Sequence, residues 1–157
     1  MLSTLQKANL YLAYFGFFKV PLLWLSRPKI ITMNEEMVEI KIPLKRRTKN
    51  HLNSMYLGAL VVGADVAGGF LAAMKAKDQG RKISLAFKGL NAEFFMRPES
   101  DVHFICHDGP LIDQMLAETI ATGKRVNKDM RVIALCPTLH GDKPMAQFDI
   151  MLSLKAK

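Results

Sequence analysis

Between Ser54 and Lys75 the only ionisable side chain besides the Tyr56 phenol is Asp65, and no proline interrupts the stretch. An α-helix fits it, capped by Asn53 or Ser54 and running to about Lys75. A helix with so little charge has no face to offer water, so it should be the most buried helix of its domain. Gly58, Gly63, Gly68 and Gly69 each cost that helix ~1 kcal/mol relative to alanine. Close approach of another backbone or of a ligand is the expected offset.

The alternation around the helix predicts what covers it. Val38, Ile40, Ile42 and Leu44 share one face of a strand from Met37 to Leu44, with Glu39 and Lys41 on the other. Pro43 there marks a sheet edge or the strand's end. After the helix, Ile83-Leu85-Phe87 and Leu90-Ala92-Phe94-Met96 alternate about Gly89, a predicted bulge. A strand carrying Val102, Phe104 and Cys106 follows Pro98. Asp108-Gly109-Pro110 starts a second helix with Ile112, Met115, Leu116 and Ile120 at helical spacing, ended by Gly123. Two last strands run from about Lys128 to Cys136 and from Ala146 to Leu154, the latter with Phe148, Ile150 and Leu152 inward. The later strands are too close in sequence for crossovers. The expectation is an α+β fold: one long helix against an antiparallel sheet of five or six strands. No linker or repeat divides the chain, so residues 1–157 read as a single domain.

Residues 1–28 form a helical segment at its start, a helix from about Leu2 to Phe18 that ends before Pro21. Ala8 to Leu25 is apolar enough to suggest a signal or a membrane span. Lys19 in its middle, Pro21, and the lack of a basic cluster before it or a cleavage site after it argue against both. The expected role is to cover an apolar surface of the domain. Contact with a membrane surface through Phe15, Phe17, Phe18 and Trp24 is the alternative. Cys106 and Cys136 read as buried free thiols, and the expected location is the cytoplasm. The formal charge of +8 favours an anionic partner: nucleic acid, an acidic membrane surface, or a phosphorylated ligand such as coenzyme A.

Asp65 is the residue that stands out chemically. Steps of three, four and seven put Gly58, Val61, Val62, Gly68, Gly69 and Ala72 on its side of the helix. A lone carboxylate amid apolar surface is costly and has its pKa pushed up, which suits acid/base work. Hydrogen bonding to a neighbouring loop or a second subunit, with no chemistry, is the other reading of the same pattern.

The run Asn50-His51-Leu52-Asn53-Ser54-Met55-Tyr56-Leu57-Gly58-Ala59, then Leu60-Val61-Val62-Gly63-Ala64-Asp65, resembles the start of the central helix in hotdog-fold acyl-CoA thioesterases of the phenylacetyl-CoA thioesterase type. It is most similar to a divergent branch of mostly unassigned function. Those enzymes carry N-x-x-G-x-x-H-G-G, followed by a small-residue run ending in Asp. Asn50 matches the leading Asn, Gly58 the last Gly and Asp65 the catalytic Asp. Asn53 replaces the first Gly, Tyr56 the His, and Leu57 the Gly before Gly58. The resemblance implies an acyl-CoA thioester as substrate, no cofactor and a homodimer or dimer of dimers. It further implies that Asp65 activates water or attacks directly, while N–H groups near Leu57 and Gly58 hold the oxyanion.

Lys45, Arg46, Arg47 and Lys49, just before this run, are candidates for the coenzyme A phosphates; a solvated loop explains them equally. No aromatic residues interleave with them, which argues against nucleic acid. His103 and His107 lie ~13 Å apart along one strand face, too far for one metal ion. His51 reads as a cap or a second base, and His140 as an exposed turn residue. Two rivals accompany the thioesterase reading: a non-catalytic acyl-CoA or fatty-acyl binding module, and a hotdog dehydratase.

Overall fold

A computed structural model describes all 157 residues. The chain opens with α1 (Thr4–Phe18), α2 (Pro21–Ser26), β1 (Lys29–Met33) and β2 (Val38–Ile42). Then come α3 (Leu57–Asp78), β3 (Ile83–Phe94), β4 (Val102–Cys106) and α4 (Gly109–Thr122), followed by β5 (Val126–Leu135), α5 (Pro137–His140) and β6 (Pro144–Ala156). The six strands form one antiparallel sheet in the order β1-β2-β4-β5-β6-β3.

α3 is the core helix. Fourteen of its 22 residues are buried, against three in α1 and five in α4. It is long and apolar enough to cross a bilayer, but here the inward rows of the sheet take up that surface. Those rows are the alternating positions read from the sequence: Val38, Ile40 and Ile42 on β2, Val102, Phe104 and Cys106 on β4, and Phe148, Ile150 and Leu152 on β6. The expected small-residue offset takes a different form from a backbone or a ligand. A Cβ at Gly63 would overlap the fully buried Phe104 ring, and one at Gly69 would come within 3.0 Å of Phe87. Aromatic rings from the sheet occupy the space that the glycines leave. Gly63→Val should therefore destabilise the fold by about 1–3 kcal/mol in denaturant melts, with a smaller loss in a Phe104→Leu background.

The first helix begins two residues later than expected, at Thr4, because Ser3 and Gln6 form a reciprocal capping box. α2 and β1 had no periodic signal of their own. β2 pairs on both sides, so Pro43 marks the strand's end and not a sheet edge. Ile83 to Phe94 is one strand with its irregularity between Phe87 and Gly89, at the predicted bulge.

Neither Asn53 nor Ser54 caps α3. Tyr56 stands at the N-cap with no side-chain bond, and the helix runs on to Asp78. Near its end Lys75 is buried, with Nζ 2.9 Å from Glu35 and 3.0 Å from Asp113. Burial alone would lower the Lys75 pKa, but its two carboxylate partners outweigh that and hold it above the usual lysine value.

Candidate active site

Residues 45–56 fold back on themselves to present the start of α3. The Asn50 side-chain oxygen accepts from the Leu52 N–H at 2.9 Å, the Ser54 N–H at 3.2 Å and the Ser54 hydroxyl at 3.1 Å. Asn53, within that turn, is left-handed at φ 59. This explains the substitution at that position: a turn that needs positive φ takes glycine or, next best, asparagine. Thr48 is buried and donates its hydroxyl to the Pro43 carbonyl at 2.7 Å. Lys49 bridges Met55, and the Tyr56 N–H donates to the Thr48 carbonyl at 2.8 Å. The basic loop is thus tied to the beginning of the helix.

Lys45, Arg46, Arg47 and Lys49 are all exposed and form no ion pair. The N–H groups of Leu57 and Gly58, in the first turn of α3, have no partner in the chain. A helix N-terminus with free donors and adjacent cations attracts negative charge. The Tyr56 ring, 58% exposed, lies over Gly58, and a Cβ there would come within 2.7 Å of it.

Asp65 lies two turns further along. It is partly buried, no residue of the chain hydrogen-bonds or pairs with it, and burial raises its carboxyl above the usual aspartate value. It opens onto a trough of about 550 Å³ between α1, α3 and β3, walled by Tyr11, Phe15, Phe70, Leu85 and Phe87. Lys77 and Arg81 lie at the far end, with the Lys77 Nζ 4.1 Å from the centre of the Tyr11 ring. Twelve residues of helix separate Asp65 from Lys77, about 18 Å of axis. The cavity is largely apolar, with the Asp65 carboxylate and the two cations among its lining. Sequence reading missed its walls, because α1, α3 and β3 are brought together only by the fold.

Within one chain the candidate residues form two groups. Asn50, Asn53, Tyr56, Leu57, Gly58 and the basic loop cluster at the start of α3. Asp65 stands about 10–12 Å along the axis from the free N–H groups of Leu57 and Gly58. A carboxylate attacking directly would have to lie ~3 Å from a carbonyl carbon whose oxygen those N–H groups hold, and the axial separation is several times that.

The Asn50 side-chain oxygen is used within its own turn, and no hydrogen bond joins Asn50 to Asp65. His103 pairs with Glu39 at 2.6 Å on the sheet, and His107 is exposed. Cys106 and Cys136 are buried and free; burial pushes the Cys106 thiol up to about 12, which makes it inert.

Residues 9–135 match the family described as a domain of unknown function, DUF4442. Among solved structures, a protein of unknown function from Chlorobaculum tepidum superimposes with a TM-score of 0.82 at 14% identity, covering 98% of this chain and 98% of that one. A thioesterase from Haemophilus influenzae gives 0.70 at 14% identity, covering 99% and 93%. A mutant thioesterase from Pseudomonas aeruginosa gives 0.69 at 14% identity, covering 100% and 97%. No curated protein matches the sequence. The likeness to these structures shows the fold, which is the hotdog fold expected from the central helix.

Proposed function

The chain belongs to the DUF4442 family, and from that premise we propose that it is an acyl-CoA thioesterase working as a homodimer. The observation that carries the reading is Asp65: an unpartnered, partly buried carboxylate with a raised pKa at the mouth of an apolar trough. A carboxylate in that setting can take a proton from water. The hydroxide then attacks the thioester carbon, and the developing oxyanion is held by the free N–H groups of Leu57 and Gly58. Collapse breaks the C–S bond, and the coenzyme A sulfur leaves with the proton from Asp65. Two structures with this fold are of thioesterases, which supports the same class.

The separation along α3 is the reason for bringing in a second copy. A two-fold partner can set its own helix start beside the Asp65 of the first. β3 is the edge suited to this: twelve residues long and open on one side, with Leu90 and Phe94 on its inward row yet 48% and 47% exposed. The Lys45–Lys49 loop would then hold the nucleotide phosphates and the trough the acyl chain.

Hydrolysis of a panel of short, long and aromatic acyl-CoAs tests the reading. Turnover of at least one is expected. Measurable acyl-CoA binding without hydrolysis would instead establish the binding-module reading. Replacing Arg46 and Arg47 together by alanine should raise KM about tenfold, through lost charge-assisted contacts, and change kcat little. A fall in kcat at constant KM would remove the loop from phosphate binding.

A further inference from the structure

α1 is apolar on both sides. Ala8, Leu12 and Gly16, spaced by four, are buried against the domain, as a covering helix requires. Leu10, Tyr14, Phe17 and Phe18 lie on the opposite side at i, i+4, i+7 and i+8, and are 58%, 55%, 53% and 63% exposed. α2 adds Leu22 and Leu25, also exposed. Exposed large side chains are unremarkable singly, but a contiguous patch marks an interaction surface.

These are joined into a ridge. Tyr14 and Phe18 have ring centres 4.8 Å apart, Phe17 and Phe18 4.9 Å, and Phe17 and Trp24 5.0 Å. The Arg27 guanidinium lies 4.0 Å over the Trp24 ring. Gly16 lets α2 close on α1, since a Cβ there would come 3.0 Å from the Trp24 backbone nitrogen.

Charge selects the partner. Lys7, Lys19, Arg27 and Lys29 are exposed and in no ion pair, and the first acidic residue of the chain is Glu35. Lys7 shares the outward side of α1 with Leu10 and Tyr14, three and seven residues on. Two copies docked through this face would bring cations together, because α1 and α2 carry no acidic residue. A surface that is apolar in its depth and negative at its rim satisfies both features. We propose that the α1–α2 face docks on an anionic lipid bilayer, with the aromatic ridge among the upper acyl chains and the four cations at the phosphates.

Trp24 is the sole tryptophan, so the full chain carries its own probe. Vesicles of phosphatidylcholine with phosphatidylglycerol should shift its emission to shorter wavelength and carry the protein into the pellet. Phosphatidylcholine alone should bind it less, and added salt should weaken binding. Phe17→Ser with Phe18→Ser should weaken binding by at least about tenfold. Both side chains are exposed, so the circular dichroism spectrum and melting temperature should hold.

Four results would overturn the proposal: no binding to the acidic vesicles, equal binding to both kinds, binding that survives the double substitution, or lipid-free assembly that the double substitution abolishes. The last would assign the face to a second copy of the chain. No thioester enters the measurement, so its outcome is separate from that of the hydrolase reading.

Discussion

Asp65→Asn is expected to lower turnover by about 10²–10⁴-fold, ~3–5 kcal/mol of barrier, with fold and assembly retained. The amide has nearly the same shape but cannot take a proton from water. The same variant carries a second signature. Burial raises the Asp65 carboxyl above its usual value, so between the unfolded and folded pKa the native chain binds the extra proton. The stability contributed by this site is full below the ordinary aspartate value and is lost as pH rises through the raised one. Above the raised value the ionised carboxylate therefore works against folding.

Asp65→Asn should accordingly melt higher than the wild type near pH 7, and the difference should vanish below about pH 4. Melting curves at the two pH values together with kcat make the test. A variant that melts lower at neutral pH and keeps its activity would show that Asp65 is a structural group bonded across the interface. Tyr56→Phe is a useful companion, because it keeps the ring over Gly58 and removes only the hydroxyl. A strong loss would give the phenol a role in positioning the substrate.

Separating the proposed dimer should have an effect as large. Leu90→Arg places a charge on the inward row of the open β3 edge, where an antiparallel partner strand would set a like charge near it. Sedimentation should show the wild type as a dimer at micromolar concentration and the variant as a folded monomer. Turnover of the monomer should fall by about the same 10²–10⁴-fold, because Asp65 and the Leu57 and Gly58 N–H groups no longer meet at one carbonyl. A wild type that is monomeric and fully active would sink the two-subunit site.

Much of this architecture was legible from local rules. The near absence of charge from Ser54 to Lys75 specified a buried central helix, and period-two alternation specified most of the strands around it. Gly89 marked the bulge, and Gly123 the end of α4, where its φ of 66 is one that glycine adopts at little cost. The start of α3 was misread for a physical reason. Asn53 and Ser54 are good caps in isolation, but the turn built on Asn50 uses both, one for its left-handed φ and the other for a side-chain hydrogen bond. Local competition of that kind leaves no trace in periodicity.

The inward rows, the burial of α3 and the isolation of Asp65 among small apolar residues were legible in the chain alone. These depend on neighbours within a few positions along one element. The fold chose what occupies the space left by the glycines: Phe104 and Phe87, rings from strands that follow later in the chain. It also decided that α1 and β3 wall a trough beside Asp65, and that Leu90 and Phe94 stay uncovered on an inward row. Contacts between distant segments follow from the order in which strands pair, and β3 closes against β6 at the sheet's edge instead of against its sequence neighbour β4. That pairing leaves β3 open, and no pattern within β3 itself encodes which strand it joins.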